Sequence, residues 1–121
     1  MVSRSDILDT AKTYVTKDRA ATHGDAEDNF RRIAALWNAY LEPEAPISSA
    51  DVAVMMTLLK VARIASNEGN ADNWIDGAGY LACGGEIATE RVGAGAEAFR
   101  LARQVDAEDE EMGFYEASQR L

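Results

Sequence analysis

Two aspartates one helical turn apart are the side chains of this chain best suited to hold a divalent metal ion. Asp72 and Asp76 lie on the same side of a predicted helix. Carboxylates at this spacing repel each other unless a positive group lies between them. Magnesium or manganese would supply that charge, because such ions bind one or two carboxylates and complete their shell with water and phosphate oxygens. A structural arrangement fits the spacing too, with Asp72 capping the helix and Asp76 paired with Lys60 or Arg63.

Polar side chains also interrupt the apolar faces of two other predicted helices. Lys60 and Arg63 lie three residues apart beside the most apolar face of one helix, and Asn29 interrupts the apolar stripe of another. Such groups are costly to bury unless they are paired, hydrogen-bonded or bound to a ligand. The guanidinium fork of arginine and the compact ammonium of lysine both suit a phosphate group. We therefore expect these residues and Asp76 to meet inside the fold, as a polyphosphate site or as a buried structural cluster.

Further candidates for ligand contacts lie in the connection before the second predicted helix and in the helix that carries the aspartates. The connection contains Arg19, His23 and Asp25. Free backbone N–H groups at a helix start favour an anion, and a histidine titrates near neutral pH. A surface histidine and a simple helix cap are the structural alternatives. Trp74 and Tyr80 have flat rings that stack on a base, although aromatic rings at helical spacing also serve as core.

Apolar residues that recur at helical spacing predict an all-α fold, a bundle of four main helices plus a shorter C-terminal helix. The predicted ranges are Ser5 to Asp18, Ala26 to Leu41, Ala50 to Ala65, Ala71 to Arg91 and Ala96 to Gln104. The expected N-caps are Ser5, Asp25 and Ser48 or Ser49. We assign residues 1–95 to one domain and residues 96–121 to a C-terminal helix with an acidic, solvated tail.

Two of these helices predict how the bundle packs. The third is apolar nearly all round, which predicts a central and buried helix. The fourth contains Gly77, Gly79, Gly84 and Gly85. Glycine is a poor helix former, so we expect these positions to allow close approach of a neighbouring helix.

Composition excludes several classes of protein. The chain has 121 residues and a net charge of -9, with an isoelectric point near 4.5, which argues against binding of duplex nucleic acid. No apolar run is long enough to span a bilayer and the N-terminus does not resemble a signal peptide, so we expect a cytoplasmic protein with no membrane partner. The single cysteine, Cys83, cannot form an internal disulfide and is expected to be a packed thiol.

Four segments in the same order and at similar spacing resemble small phage and prophage proteins that carry a domain of unknown function. These segments are Asp18 to Asp25, Asn29 to Trp37, Asp51 to Arg63 and Asp72 to Tyr80. The resemblance covers about residues 5–90. That group is close to the nucleotide-modification-associated domain 1 proteins and distantly similar to the all-α nucleoside triphosphate pyrophosphohydrolases of the MazG and dimeric dUTPase superfamily. Members of that superfamily hold magnesium through a Glu-x-x-Glu and a Glu-x-x-Asp on adjacent helices. Here the corresponding residues are Glu27-x-x-Phe30 and Asn73-x-x-Asp76, so two of the four acids are replaced.

The resemblance implies a MazG-like bundle that forms a homo-oligomer and acts on a small-molecule nucleotide in the cytoplasm of a phage host. On the basis of this resemblance, we expect the protein to be a metal-dependent nucleoside triphosphate pyrophosphohydrolase that releases pyrophosphate. Asp72 and Asp76 would bind magnesium or manganese, Lys60 and Arg63 the phosphates, and Asn29 would orient a ligand or a carboxylate. Asp76 and Lys60 are the residues expected to act in catalysis. The alternatives are a nucleotide-binding or sequestering protein without catalysis and a structural helical oligomer.

Overall fold

The computed structural model describes residues 1–18 and 25–92, which contain helices and no strand. The elements are α1 (Arg4–Thr13), a π-helical segment (Tyr14–Asp18), α2 (Ala26–Leu41), α3 (Ser49–Ser66) and α4 (Ala71–Val92). This confirms the all-α fold with four main helices. The C-terminal helix predicted over 96–104 and the acidic tail lie outside the described residues, as do Arg19 and His23. Among the described helices, none is long and apolar enough to cross a membrane.

Capping boxes fix the starts of α1 and α3. The Ser3 hydroxyl accepts the Asp6 backbone N–H at 3.0 Å, and the Asp6 carboxylate accepts the Ser3 backbone N–H at 3.0 Å. Ser48 and Asp51 repeat this arrangement at the start of α3, as the sequence predicted for Ser48. These reciprocal bonds satisfy backbone N–H groups that a helix start leaves without partners. The predicted cap at Ser5 is wrong by two residues, because Ser3 has the acidic residue three positions later that a capping box needs.

The connection between α2 and α3 is fixed by one side chain. Glu42 ends α2 in the left-handed region, with a φ of 49°. The Asn38 carboxamide then bonds both backbone groups of Ile47, donating to its carbonyl at 3.0 Å and accepting its N–H at 2.8 Å. This clamp closes the loop that contains both prolines and places α3 against α2.

The core of the unit formed by residues 1–88 combines side chains from three helices. Its buried members are Phe30 and Ala34 of α2, Val52 and Ala53 of α3, and Tyr80, Cys83 and Ile87 of α4. The buried position of Cys83 confirms the expectation of a packed thiol. Because α4 supplies the largest share of this cluster, α4 is the helix against which the others are placed.

The expectation that α3 is buried all round is wrong. Val52 and Ala53 are completely buried, but Val54, Leu58 and Val61 are 48%, 59% and 52% exposed. An apolar helix surface indicates that the helix packs against a partner, which can be another helix of the same chain or another molecule. The outward side of α3 therefore remains apolar and uncovered.

Glycines of α4 allow the close approach predicted from the sequence. A methyl group placed on Gly84 would lie 2.8 Å from the Cβ of Ala53 in α3, closer than two carbon atoms tolerate. On Gly79 it would lie 3.0 Å from a methyl group of Val15 in the π-helical segment. Gly85, by contrast, has open space around it.

Candidate functional site

A partly buried ion pair joins α3 to α4. The Lys60 Nζ lies 2.9 Å from Asp76 Oδ2, and the two side chains are 12% and 25% exposed. Gly77 follows Asp76 and lies next to the Lys60 side chain, where a methyl group would be 3.9 Å from the Lys60 Cβ. Among the described residues this is the only ion pair between helices, since the pairs of Arg31 lie within α2. Of the arrangements the sequence left open, the observed one pairs Asp76 with Lys60.

The space beside Asp76 is small. A cavity of about 10 Å³ lies between α4 and the end of α1, and Asp76, Tyr14 and Tyr80 contribute to its wall. A volume of this size holds roughly one water molecule. A nucleotide does not fit inside this cavity, whereas a single water does.

A larger groove of about 340 Å³ lies nearby, on the side of α4 that faces α1. Its apolar wall is formed by Leu8, Ala11, Val15, Ala26, Ala78, Ala82 and Cys83, and its polar residues are Lys12, Thr16, Asp25 and Glu86. Ligand pockets have this size range and this mixture of an apolar wall with a few polar groups. Ala11 and Val15 line both the groove and the small cavity, so the two spaces are neighbours.

The groove was missed by sequence reasoning. Its walls come from α1, the π-helical segment, the start of α2 and the middle of α4, so no single segment contains its pattern. The available signal was the pair Ala78 and Ala82, small residues one turn apart on α4. Small residues indicate either a close neighbour or open space, and here they border the space.

Two of the predicted ligand contacts, Asp25 and Tyr80, line these spaces. Asp25 is at the start of α2 and lines the groove, and its side chain makes no capping hydrogen bond. Tyr80 is buried, lines the small cavity and contacts Phe30, with the ring centres 6.2 Å apart and the planes tilted by 47°. Asn29 is partly buried on α2 and has an interaction partner. Arg19 and His23 lie in the chain between Thr16 and Asp25, outside the described residues.

Trp74 lies away from the groove and acts at the turn before α4. Its ring is 46% exposed, and the indole N–H donates to the Glu68 carbonyl at 2.9 Å. This bond holds the turn between α3 and α4. Its observed contact is thus structural, and the proposed stacking on a base stays untested.

The expectation that Arg63 lies inside the fold is wrong, because Arg63 is exposed, and Asp72 is exposed as well. Arg63 lies in the last turn of α3 and Asp72 in the first turn of α4. At such helix ends the position on a helical wheel does not predict burial, because the neighbouring helix ends there too. Asn70 caps α4 in place of Asp72, since its side-chain oxygen accepts the Asp72 backbone N–H at 3.1 Å. Asp72 in the first turn is still favoured by the positive end of the helix dipole.

The described residues offer limited material for a metal site. Within residues 1–18 and 25–92, no group of three His, Cys, Asp or Glu side chains is placed to hold a metal ion. Asp76 is already bound to Lys60. A magnesium ion at Asp72 and Asp76 would therefore take at most two protein carboxylates and would rely on water and phosphate oxygens for the rest, which is a common arrangement for this ion.

Asn73 is a buried polar residue that sequence reasoning did not select. It lies three residues before Asp76 and is the buried polar side chain of the described core. Its carboxamide has no hydrogen-bond partner among the described residues, and none of their fully enclosed side-chain nitrogen or oxygen atoms lacks a partner. The Asn73 carboxamide therefore still reaches solvent. The sequence signal for its burial was its position on the buried side of α4, between Asp76 and Gly77 on the helical wheel.

Comparison with known proteins identifies phage relatives. The chain is 46% identical over 74 residues to the Gene 55 protein of Mycobacterium phage L5, covering 61% of this chain and 47% of that protein. It is 38% identical over 86 residues to the Gene 55 protein of Mycobacterium phage D29, covering 71% of this chain and 56% of that protein. The chain thus spans about half the length of the relatives it matches, and no solved structure matches it. Residues 6–88, which include the groove and the ion pair, match one family over most of the chain, and the chain belongs to that family, described as Domain of unknown function (DUF6378).

Proposed function

We propose that this protein binds a nucleotide in the groove between α1 and α4, without a requirement for hydrolysis. The observation that carries the proposal is the groove itself, about 340 Å³ in volume, with an apolar wall and few polar groups. The wall suits a base or a sugar face. The polar residues supply one cation, one hydroxyl and two carboxylates for orienting contacts.

The charges of the groove define which further residues the proposal needs. Among the described residues that line the groove, Lys12 is the cation, whereas Asp25 and Glu86 are negative. A nucleoside triphosphate carries several negative charges, so one lysine does not balance it. Arg19 and His23 connect Thr16 to Asp25 along the chain, and both ends of that connection line the groove. We assign the remaining phosphate contacts to these two residues, because arginine binds phosphate through a rigid fork and histidine through a titratable ring.

In this proposal the Lys60–Asp76 pair positions α3 against α4 and does not touch the nucleotide. The two side chains already satisfy each other at 2.9 Å, and the cavity beside Asp76 has room for a water only. Removal of either partner would leave the other charge partly buried without compensation. The pair is thus expected to act on stability more than on affinity.

A metal-dependent pyrophosphohydrolase is the second candidate, favoured by the placement of Asp72 and Asp76 one turn apart on α4. The distant resemblance of the phage proteins to the MazG-like superfamily supports it. A bound magnesium or manganese ion would supply a water that loses its proton more easily. Asp76 would bind that ion through the carboxylate oxygen that does not face Lys60, or by leaving the lysine, whose ammonium would then be available to phosphate oxygens. The paired state of Asp76 makes binding without hydrolysis the better-supported function.

Thermal unfolding in the presence of nucleotides tests both candidates. Canonical and modified nucleoside triphosphates and their monophosphates are compared with and without magnesium. A nucleotide that binds the folded state should stabilise it by about 2.7 kcal/mol at a hundredfold excess over its dissociation constant. Lys12→Ala should remove that stabilisation, while Lys17→Ala, an exposed lysine that does not line the groove, should keep it.

Pyrophosphate release measured in the same mixtures separates the candidates. Stabilisation without product supports the binding protein, and product formation that requires a metal ion supports the hydrolase. If no nucleotide stabilises the chain and no product forms, both proposals fail. The structural helical oligomer would then remain.

A further inference from the structure

The outward side of α3 is an uninterrupted apolar surface. The exposed residues on this side are Val54, Met55, Leu58, Leu59, Val61, Ala62 and Ala65. They cover nearly half of the helix circumference over about three turns, with the charged Asp51 one turn before the first of them and Arg63 at one edge. We call this surface the α3 outer face. A helix that is apolar on both its inner and its outer side is normally covered on both sides.

The spacing within the α3 outer face is that of a helix-to-helix seam. Val54, Leu58, Val61 and Ala65 follow one another at intervals of four, three and four residues. This repeat places side chains along one line of the helix, where they pack between those of a second helix.

The charge of the molecule selects the partner. The chain has a net charge of -9, so two copies repel each other across most surfaces. The apolar residues of the α3 outer face carry no charge that could repel the same residues of a second copy, and a symmetric dimer brings the same patch of each copy together.

The area of the face is compatible with a dimer. Its five large side chains are 39% to 59% exposed. Such side chains present on the order of 500 Å² of apolar surface, near the upper limit of what a monomer leaves uncovered. Two such faces together would remove about 1,000 Å² from water, roughly the minimum area of a specific interface.

We propose that the α3 outer face binds the same face of a second copy, so that the protein is a symmetric dimer built on α3. This assigns a surface to the homo-oligomer that the sequence led us to expect. The proposal is independent of nucleotide binding, because the α3 outer face does not include the groove between α1 and α4.

Two matched substitutions in the full chain test the proposal. Leu58→Asp places a carboxylate in the centre of the α3 outer face, where the residue is 59% exposed. Leu81→Asp makes the same change on α4, where the leucine is 54% exposed and lies outside that face. Molar mass is measured by light scattering at tens of micromolar protein, and helix content by circular dichroism.

The wild type and Leu81→Asp should have twice the chain mass of 13.1 kDa, and Leu58→Asp should have the chain mass with unchanged helix content. The dissociation constant of Leu58→Asp should rise at least a hundredfold. Val61→Lys serves as a second variant should Leu58→Asp lose its helix content. A monomeric wild type, a dimeric Leu58→Asp, or dissociation by Leu81→Asp alone would overturn the proposal.

Discussion

The two sides of α4 meet their neighbours in different ways. Against α3 the contact is closed, with Gly84 directly on Ala53 and the Lys60–Asp76 pair bridging the helices. Against α1 and the π-helical segment, contact at Gly79 is followed by open space, the groove of about 340 Å³. Both sides use small residues of the same helix. The difference teaches that small residues on α4 serve close packing on one side and leave room for a ligand on the other.

The largest effect is expected from a substitution that disrupts the close contact between α4 and α3. Gly84→Ala adds a methyl group at 2.8 Å from the Ala53 Cβ, so α3 and α4 must separate. We expect a loss of about 2 kcal/mol in the free energy of unfolding, the usual cost of overpacking a core. Gly85→Ala is the matched control, because an added methyl group there would meet no atom within 4 Å and alanine favours the helix by up to ~1 kcal/mol. Urea unfolding measures both, and equal stabilisation by the two variants would contradict the close contact.

Removal of the ion pair should have the next largest effect. Lys60→Met keeps the aliphatic stem and leaves the partly buried Asp76 without its cation. Because both side chains are partly exposed, we expect a loss of about 1 to 2 kcal/mol, less than the 3 to 5 kcal/mol typical of a fully buried pair. Asp72→Asn, on the same helix but exposed, should change stability by less than about 0.5 kcal/mol. A Lys60→Met variant as stable as Asp72→Asn would show that the pair does not hold α3 to α4.

A smaller effect is expected on the open side of α4. Gly79→Ala places a methyl group 3.0 Å from a Val15 methyl, and that side chain has the small cavity and the groove beside it into which it can turn. The gain in helix propensity, up to ~1 kcal/mol, should offset most of the contact. We expect Gly79→Ala to stay within about 1 kcal/mol of the wild type in urea unfolding, and Val15→Ala to relieve what remains. A loss as large as that of Gly84→Ala would show that this side is closed as well.

The smallest effect is expected at the first turn of α1, the helix that forms one wall of the groove. The Ser3 backbone N–H, and after it the Ser3 hydroxyl, bond to Asp6 and lower the pKa of its carboxyl below the ordinary value of 3.8. Because the pKa of the Asp6 carboxyl is lower in the folded state, its ionised form stabilises the folded protein above pH 3.8. This stabilisation is lost as the pH falls through the pKa of the folded state. We expect acid below about pH 4 to loosen the first turn of α1 while the contact at Gly84 persists. Amide hydrogen exchange of the wild type and Asp6→Asn from pH 7 to pH 3 checks this, and equal loss in both regions would contradict it.

Features determined by local chemistry could be predicted from the sequence. The range of α2 is predicted to the residue, because its apolar stripe ends at a loop with two prolines. The Ser48 cap and the glycine contacts of α4 follow from residue types in the same way. The pairing of Asp76 with Lys60 was one of two arrangements that the spacing allowed.

Features that depend on how helices are oriented could not be predicted. Arg63 and Asp72 fall on apolar faces of a wheel, yet the structure exposes them at helix ends. The outer side of α3 is apolar without being buried inside the chain, and the groove combines residues from four segments. Relative helix placement decides each of these, and a single sequence contains no direct record of it.

The central claim is that the open side of α4 is a binding site, and calorimetric titration of a groove-filling variant tests it most directly. Ala82→Trp fills the groove, and Ala88→Trp places the same ring on an exposed position outside it. With the nucleotide that stabilises the wild type most, we predict equal affinity for the wild type and Ala88→Trp and at least tenfold weaker binding by Ala82→Trp. Unchanged affinity in Ala82→Trp, or no nucleotide binding by the wild type, would contradict the account.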